Sequence, residues 1–344
     1  MIVRSFTSSF DEHVPDAPRV LHAPWVRTWM LGCLLFLLFF CVWEGVWRSR
    51  GFRPSLIDDA SLWASARRSV GSDSIVLVGA SKTLLGINPT VFAETSGVRP
   101  VQLAIDGSQA IPVLRDLAAD EGFRGVVLFD LMESEIDGTT PPGKEEKYLQ
   151  EYREQNLSDQ IEQWLRHRLQ ANFVFMKPEI SPGHVWEGLR SGQLPVPFYL
   201  QMQPDRYARA DYSMIEPAKL HGGGTNNSGQ RLPPGLSAQE FLARTARLEE
   251  YVARIQERGG QVVFLRMPSS GILWEAQEAR YPKSAYWDVF AARTKAMTIH
   301  FRDYPELSQY ELPDTTHLDY RQAETFTRDL TRILMAKGVR LKKG

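Results

Sequence analysis

Cysteine is almost missing from this chain. The 344 residues include two cysteines, Cys33 and Cys41, and both lie in one long apolar run near the N-terminus. The rest of the chain contains no thiol, which excludes a disulfide outside that run. His221 also has no other histidine or cysteine at a spacing typical of metal ligands. We therefore predict no metal site and no cofactor.

A large net charge is missing as well. The 40 basic and 41 acidic residues leave a formal charge of −1, so no long-range field attracts the protein to nucleic acid. Binding to a polyanion would need a local patch. The glycine-rich run from His221 to Asn227 lacks the lysine and serine of a nucleotide-binding loop, and a flexible surface loop is the favoured interpretation.

Charged residues are absent from Thr28 to Trp43, and the stretch from Leu31 to Val42 is almost wholly apolar. Tryptophans flank this run in the manner of an interfacial belt, which predicts one transmembrane helix over residues 28–47. A buried core helix is the weaker alternative because the flanks are polar. The sequence Arg48-Ser49-Arg50-Gly51 offers no small-residue cleavage pattern, so we expect an uncleaved anchor after an N-terminal tail of residues 1–27.

The chain beyond a predicted linker at residues 48–72 alternates between strand-like and helical patterns. This alternation predicts a three-layer α/β/α fold with a mainly parallel five-stranded sheet over residues 73–337, followed by a basic tail at 338–344. The strand-like runs are Ser74–Val78, Pro100–Ile105, Gly125–Leu131, Gln261–Met267 and Thr298–Phe301. Helices are expected at Pro112–Asp120, Ser237–Arg258 and Tyr320–Ala336.

The alternation fails between about residues 138 and 234. Glu145 to Gln170 is a highly charged helical stretch, and a region rich in proline, glycine, tyrosine and glutamine follows it. Because this region interrupts the pattern without starting another, we interpret it as an insertion or cap on the sheet rather than a second domain.

Ser81 and the Asp314-Thr315-Thr316-His317 segment form the chemical signature of the chain. Ser81 follows the apolar run Ile75–Val78 through a small-residue turn, which can lift a serine hydroxyl to the carboxyl end of a sheet. A serine nucleophile needs a neighbouring base, and the base needs a partner that fixes its tautomer. His317 and Asp314 can supply those two groups. Taken separately, each motif is also compatible with an ordinary helix cap.

These residues give the chain a resemblance to the SGNH/GDSL hydrolase superfamily, in which a serine after the first strand works with a C-terminal Asp-x-x-His. The membrane-anchored branch, with its alginate-type O-acetyltransferases and D-alanyl transfer protein of teichoic acid, has segments similar to Leu77–Pro89 and Leu103–Ser108. The resemblance implies a flavodoxin-like sheet with Ser81 as nucleophile, His317 as general base and Asp314 as its orienting partner. It also implies an oxyanion hole formed by the amides of Ser81 and Gly107.

The sequence departs from the family pattern at two points. Gly79-Ala80-Ser81 replaces the Gly-Asp-Ser of the family, and the asparagine that normally follows the third strand is absent. The chemistry could therefore be slower or lost, or another donor such as Asn88 or Lys82 could replace the asparagine. Asn88 and Lys82 are also candidates for substrate binding. Arg266, at the end of the fourth predicted strand, could bind an anionic group of the substrate or pair with Glu275 or Asp303.

The resemblance implies a membrane-anchored O-acyltransferase that moves an acyl group, with acetyl expected, onto an envelope or exported polysaccharide through an acyl-serine. Its expected partners are the glycan, the membrane and a membrane-bound O-acyltransferase that passes on the acyl group. One alternative is a membrane-tethered carbohydrate or lipid esterase. Another is a non-catalytic component of a polysaccharide modification or export assembly.

The flanking charges and the resemblance give opposite topologies. Arg48, Arg50 and Arg53 follow the predicted helix, whereas Arg19 and Arg27 precede it, and this excess favours a cytoplasmic body. The resemblance implies an extracytoplasmic, periplasmic body on a single-pass anchor in the inner or cytoplasmic membrane. Because long domains translocate largely regardless of flanking charge, we expect the extracytoplasmic arrangement.

Overall fold

Five parallel strands form the sheet at the centre of the protein. The structure is a computed structural model that describes residues 24–216, 220 and 235–341. In chain order its strands are β1 Ile75–Val78, β2 Val101–Gln102, β3 Val126–Asp130, β4 Leu200–Met202, β5 Ala208–Ala210, β6 Gln261–Arg266 and β7 Met297–His300. The sheet has the order β2-β1-β3-β6-β7 with every neighbouring pair parallel, and β4 and β5 form a separate antiparallel hairpin.

The strand order creates a switch point between β1 and β3. The chain passes from β1 to β2 on one side and then returns to β3 on the other. In open α/β sheets, ligands bind outside the carboxyl ends of the strands at such a point, because the connections on the two sides diverge there. The predicted five-stranded parallel sheet is confirmed, and the carboxyl end of β1 is the place where a site is expected.

Helices make up most of the rest of the described chain. The α-helices are α1 Trp25–Ser49, α2 Ala60–Arg68, α3 Ser81–Gly86, α4 Pro89–Ser96, α5 Ile111–Ala119, α6 Glu133–Ile136, α7 Glu145–Glu154, α8 Leu157–Asn172, α9 Pro182–Ser191, α10 Ala238–Glu257, α11 Gly271–Arg280, α12 Trp287–Ala291, α13 Pro305–Ser308 and α14 Tyr320–Ala336. Short 3-10 helices lie at Val174–Met176, Pro178–Ile180, Tyr212–Met214 and Phe301–Asp303.

Two hydrophobic clusters cover the two faces of the sheet. Val76 and Val78 of β1 belong to the cluster that includes side chains of α2, α5 and α10, whereas Ile75 and Leu77 belong to the cluster with α4 and α14. Successive side chains of a strand point to opposite faces, so a strand buried on both faces reads as a continuous apolar run. This packing is the three-layer α/β/α architecture expected from the sequence.

The predicted strand at residues 100–105 is shorter in the structure, where β2 spans Val101–Gln102. The pairing with β1 nevertheless continues on one side. The amide of Leu103 donates to Leu77 O at 2.8 Å, and the amide of Ile105 donates to Gly79 O at 3.0 Å. These bonds carry the segment to the carboxyl end of the sheet, next to Gly79.

Capping side chains fix where the helices begin. Ser237 and Glu240 form a capping box at the start of α10, and Asp319 and Gln322 form another at α14. The charged helical stretch from residue 145 to residue 170 consists of two helices, because Asn156 and Asp159 form a third capping box that starts α8. An asparagine whose side chain accepts from a backbone amide three residues later favours a new helix start over continuation.

The predicted linker and basic tail both contain core residues. The segment 48–72 includes α2, whose Trp63 is fully buried and donates its indole N–H to Leu103 O at 2.9 Å. In the tail, Val339 and Leu341 are buried in the α14 cluster, while residues 342–344 lie outside the described residues. Burial removes the apolar surface of these side chains from water, which stabilises the folded protein. Both segments therefore pack against the body.

The insertion contributes α7, α8, α9 and the β4–β5 hairpin. Leu56 forms an antiparallel bridge with Met202 of β4, so the insertion and the segment before α2 meet. The glycine-rich run from His221 to Asn227 lies outside the described residues.

The chain divides into two compact units, one up to Val46 and one from Trp47 onward, so the boundary falls in the last turn of α1. Over 25 residues, α1 is long and apolar enough to cross a membrane by length and composition. The helix is somewhat longer than the predicted span of residues 28–47.

Candidate active site

Ser81 occupies the first position of α3, directly after the turn that leaves β1. Gly79 is required in that turn, because a side chain there would collide with the Thr83 side chain and contact Asp130. The turn therefore packs tightly against the end of β3, and the next residues start a helix. This arrangement places the Ser81 hydroxyl at the carboxyl end of the sheet, beside the switch point.

The structure brings Ser81, His317 and Asp314 into one hydrogen-bonded chain. Ser81 Oγ lies 2.8 Å from His317 Nε2, and His317 Nδ1 lies 2.8 Å from Asp314 Oδ2. The side chains of His317 and Asp314 are each 19% exposed, so these residues are mostly shielded from solvent but still accessible to a small molecule. A carboxylate that holds Nδ1–H leaves Nε2 free to accept the serine proton, which is the tautomer that a general base needs.

Four donors surround the Asp314 carboxylate. Oδ1 accepts hydrogen bonds from the amides of Thr316 and His317 at 2.9 and 2.7 Å. Oδ2 accepts hydrogen bonds from His317 Nδ1 at 2.8 Å and from the Tyr212 hydroxyl at 2.7 Å. Burial by itself would raise the pKa of the Asp314 carboxyl, but the hydrogen bonds and charge of His317, together with Tyr212, hold that pKa well below its ordinary value. Asp314 is therefore an anion that can stabilise a positively charged imidazole.

The turn that carries Asp314 contains a strained residue. Thr315 has a φ of 65°, a conformation that β-branched side chains rarely adopt. Its amide donates to Leu312 O at 2.9 Å, and its carbonyl accepts from the Ser270 amide at 3.1 Å. The hydroxyl of Ser270 also accepts from the Leu312 amide at 3.0 Å. The loop after β6 thus holds the turn in the shape that directs Asp314 and His317 toward Ser81.

The two predicted oxyanion donors lie in loops at this edge of the sheet. The amide of Ser81 is the first of α3 and has no hydrogen-bond acceptor among the described residues. Gly107 is exposed in the loop after β2 with a φ of 64°. A side chain at Gly143 would meet Gly107 O and Ser108, so the insertion packs directly on this loop. The oxyanion role of Gly107 remains a prediction.

A cavity of about 520 Å³ opens at Ser81, Asp314 and His317. Its walls come from residues 55–58, from α3, and from residues 176–179 and 198–202 of the insertion. The lining is mostly apolar and includes the ionisable groups Asp58, Asp106, Lys177 and Glu179. The described part of the insertion therefore supplies one wall of the cavity. A larger cavity of about 670 Å³ between α2 and α8 has none of the three hydrogen-bonded residues in its lining, so it does not serve this chemistry.

Lys82 and Asn88 do not line the cavity, although both were candidates for substrate binding and for the missing oxyanion donor. Lys82 is buried and donates to Pro268 O and Ser269 Oγ; burial, reinforced by the charge of Arg266, lowers the pKa of Lys82 to about 7. The side chain of Asn88 accepts from the Thr90 amide at the start of α4. Lys82 is thus held by the loop after β6 and Asn88 by the start of α4, so both side chains have structural partners.

Arg266 does not line the cavity either, and its side chain is 1% exposed. Its guanidinium donates to Glu133 Oε1 at 2.9 Å, to Gln277 Oε1 at 3.0 Å and to Met267 O at 3.1 Å. Arg266 therefore forms an ion pair inside the protein, as one of its two sequence-based interpretations expected. Its partner, however, is Glu133 and not Glu275 or Asp303. Glu133 lies in the segment after β3, where members of the SGNH/GDSL superfamily have an asparagine. In this protein, that segment forms an internal ion pair with Arg266.

Tyr212 is the site residue that sequence reasoning missed. It lies in the insertion, 102 residues before the aspartate that it contacts. Burial and the neighbouring Asp314 raise the pKa of the Tyr212 hydroxyl far above its ordinary value, so it remains a donor. The motif Asp211-Tyr212-Ser213 has no periodic signal, and only contact in three dimensions identifies it.

Comparison with known proteins adds no identification. No protein-family model matches the chain, and no curated protein matches it. Among the described residues, no group of three or more histidine, cysteine, aspartate or glutamate side chains is placed to hold a metal ion.

Proposed function

We propose that this protein is a membrane-anchored, SGNH-like O-acyltransferase that works through an acyl-serine at Ser81. The observation that carries this proposal is the continuous chain from Ser81 Oγ through His317 to Asp314, with both contacts at 2.8 Å. A serine and a histidine separated by 236 residues meet in this geometry at a switch point, within a capped cavity. Such a constellation is recognised by its geometry and roles.

In the first step, Ser81 Oγ attacks the carbonyl carbon of an acyl donor while His317 Nε2 takes the hydroxyl proton. The carbonyl oxygen becomes an oxyanion that the amides of Ser81 and Gly107 stabilise. Collapse of this intermediate breaks the bond to the leaving group, which receives the proton from His317. The products are an acyl-Ser81 ester and the protonated leaving group.

In the second step, a sugar hydroxyl attacks the acyl-Ser81 ester. His317 takes the proton of this hydroxyl and returns it to Ser81 Oγ when the ester bond breaks. The acyl group is then an ester on the sugar, and the enzyme is regenerated. If water takes the place of the sugar, the same steps hydrolyse the ester, and the protein is an esterase.

The cavity supports a carbohydrate acceptor. Asp58, Asp106 and Glu179 can accept hydrogen bonds from sugar hydroxyls, and Phe198 and Tyr199 offer rings on which the apolar face of a sugar can pack. The acetyl group, the envelope or exported polysaccharide, and a membrane-bound acyltransferase as the source of the acyl group follow from the resemblance. An α1 anchor with an extracytoplasmic body would hold the site close to such a donor.

The test is acylation of the full-length protein in detergent. With a chromogenic acetyl ester, intact mass should show one acetyl group on Ser81, and Ser81→Ala and His317→Ala should lose both label and turnover, the turnover by on the order of 10³-fold or more. Ser181→Ala is a matched control, because Ser181 also contacts a histidine, His184, at 2.7 Å but on the exposed surface. This variant should be labelled like the parent protein.

Three outcomes separate the candidate functions. Faster loss of the label with added glycan, together with acylated glycan, supports transfer. Loss of the label at the same rate with and without glycan supports an esterase. If the folded parent protein acquires no label, the proposal is wrong and a non-catalytic role in a polysaccharide assembly is favoured.

A further inference from the structure

Helix α8 carries its apolar residues on the outside. Leu157, Ile161, Trp164 and Leu165 are each more than half exposed, and Leu169 is 36% exposed. We call these five residues the α8 face. Their spacing of three, four and eight positions places them along one side of the helix. A surface helix of a water-soluble protein normally shows the reverse pattern, with polar residues outward.

The buried side of α8 is polar. Gln163 and Gln170 are buried, and Gln163 accepts a hydrogen bond from Gln155 at 2.7 Å. Arg166 donates to Ser61 Oγ at 2.6 Å and lies 3.3 Å from Asp59 at the start of α2. Polar contacts therefore help to attach α8 to the body, together with Ala171 near its end, which packs against the cluster that includes Leu56 and Met202. The orientation of the helix leaves the α8 face available for an apolar surface.

The end of α8 lies where the chain leaves α1. Arg48, in the last turn of α1, donates to the carbonyl of Asn172, the last residue of α8, at 2.7 Å. Sixteen residues at a rise of about 1.5 Å each make α8 about 24 Å long. The whole α8 face is thus within one helix length of the residue at which a membrane-spanning α1 would emerge from the bilayer.

The composition of the α8 face also fits an interface between lipid and water. Trp164 is exposed and has the guanidinium of Arg168 5.5 Å from its ring centre. Tryptophan and arginine with leucine and isoleucine are typical of helices that lie in the headgroup region with the apolar side toward the acyl chains. A second apolar pair, Trp186 and Leu189 of α9, is exposed in the same insertion.

We propose that the α8 face lies in the surface of the bilayer that α1 spans, so that the insertion is attached to the membrane at a second place. The occupant of the face is lipid, because α1 supplies the neighbouring membrane and Arg48 joins its end to α8. The same insertion forms one wall of the Ser81 cavity. This proposal rests on α1 as a membrane anchor and is independent of the chemistry at Ser81.

The test measures lipid contact by fluorescence in the full-length chain. Cys33→Ser and Cys41→Ser remove the native thiols, and Leu165→Cys then provides a single site for an environment-sensitive fluorophore. The labelled protein is reconstituted into vesicles of phosphatidylcholine and phosphatidylglycerol, with and without brominated lipid. The control is Arg332→Cys on α14, whose native side chain is 65% exposed. Thermal unfolding of both labelled proteins verifies that they are folded.

We expect brominated lipid to quench the label at position 165 severalfold more strongly than the label at position 332. Equal quenching at the two positions, with equal access to aqueous iodide, overturns the proposal. A label at 165 that is shielded from iodide but unaffected by brominated lipid also overturns it, because a protein surface, either a second copy or a partner, then covers the face. None of these readouts depends on whether Ser81 is acylated.

Discussion

At the scale of single residues, Tyr212 determines how firmly Asp314 is held. Its hydroxyl donates to the same Oδ2 atom that receives His317 Nδ1. Tyr212→Phe removes a hydrogen bond to a charged group, which is typically worth about 1.5–3 kcal/mol. We expect turnover of the acetyl ester to fall about tenfold or more with little change in KM, whereas Asp314→Asn should lower turnover by on the order of 10⁴-fold.

Tyr207→Phe is the matched control for this comparison. The Tyr207 hydroxyl is buried and has no hydrogen-bond partner among the described residues, and it is not in the lining of the Ser81 cavity. Its loss should leave turnover unchanged. Equal turnover in Tyr212→Phe and the parent protein would show that the Tyr212 hydrogen bond has no part in positioning the site.

Glu135 gives a second prediction at this scale, concerning pH and stability. Its Oε1 atom accepts from the amides of Ala110 and Ile111 at 2.7 and 2.6 Å, and its Oε2 atom is buried with no hydrogen-bond partner in the described part of the chain. Burial raises the pKa of this carboxyl to about 7, compared with about 4.3 in an unfolded chain. Between these two values the folded protein binds more protons than the unfolded one, so stability falls as the pH rises through this window.

Glu135→Gln removes the charge and keeps the oxygen acceptor. The difference in Tm between this variant and the parent protein should therefore become more positive as the pH rises from about 5 to about 8. Thermal unfolding in detergent at a series of pH values measures it. A difference in Tm that is constant across the series would mean that Glu135 titrates alike in the folded and unfolded states.

At the scale of elements, the turn before α14 contains a residue in an unfavourable backbone conformation. Thr315 has a positive φ, and such a conformation typically costs about 1–3 kcal/mol for a residue other than glycine. Asparagine tolerates this region better than threonine does. Thr315→Asn should therefore raise the free energy of unfolding by about 1 kcal/mol, as measured by urea denaturation in detergent.

The neighbouring Thr316→Asn is the control, because Thr316 has no positive φ. It should leave the free energy of unfolding unchanged or lower it. If both substitutions had the same effect, backbone strain at Thr315 would not be the cause. The turnover of Thr315→Asn should stay close to that of the parent protein, since Leu312 and Ser270 hold the turn through backbone atoms of residue 315.

At the scale of the whole molecule, Arg206 joins three separate parts of the chain. It lies between β4 and β5, and its buried guanidinium donates to Gln102 O at 2.8 Å, to Ala104 O at 3.0 Å and to Asp58 Oδ1 at 2.8 Å. The insertion, the edge strand of the sheet and the segment before α2 thus share one cation. Removing such a cation leaves buried acceptors unpaired.

Arg206→Ala should lower the free energy of unfolding by about 3 kcal/mol, and Arg206→Lys by an intermediate amount, because lysine lacks the planar fork that bridges several acceptors. Arg115→Ala provides the comparison, since the Arg115–Glu146 pair is exposed on both sides and such pairs are worth at most about 1 kcal/mol. Equal losses in Arg206→Ala and Arg115→Ala would refute a joining role for Arg206.

The parts of the structure that sequence predicted are those with a local signal. The apolar runs gave the strands, the helical patterns gave α10 and α14, and the Asp-x-x-His spacing placed Asp314 and His317 in one turn. Tyr212 and Arg206 have no such signal, because each is defined by contacts about one hundred residues away. Polar residues near strand ends were ambiguous for the same reason: Lys82 and Arg266 were candidates for substrate binding, but both find partners inside the protein.

The order of the chain has a consequence for its biosynthesis. Ser81 precedes His317 by 236 residues, and chains are synthesised at about 5–20 residues per second. A nascent chain therefore carries Ser81 for roughly 10–50 s before the imidazole exists. Helix α14 contacts α3 and α4, so the surroundings of Ser81 are complete only after α14 has been synthesised. Under the proposed mechanism, a chain that lacks the segment with His317 keeps Ser81 but has no general base beside it, so it would not consume acyl donor.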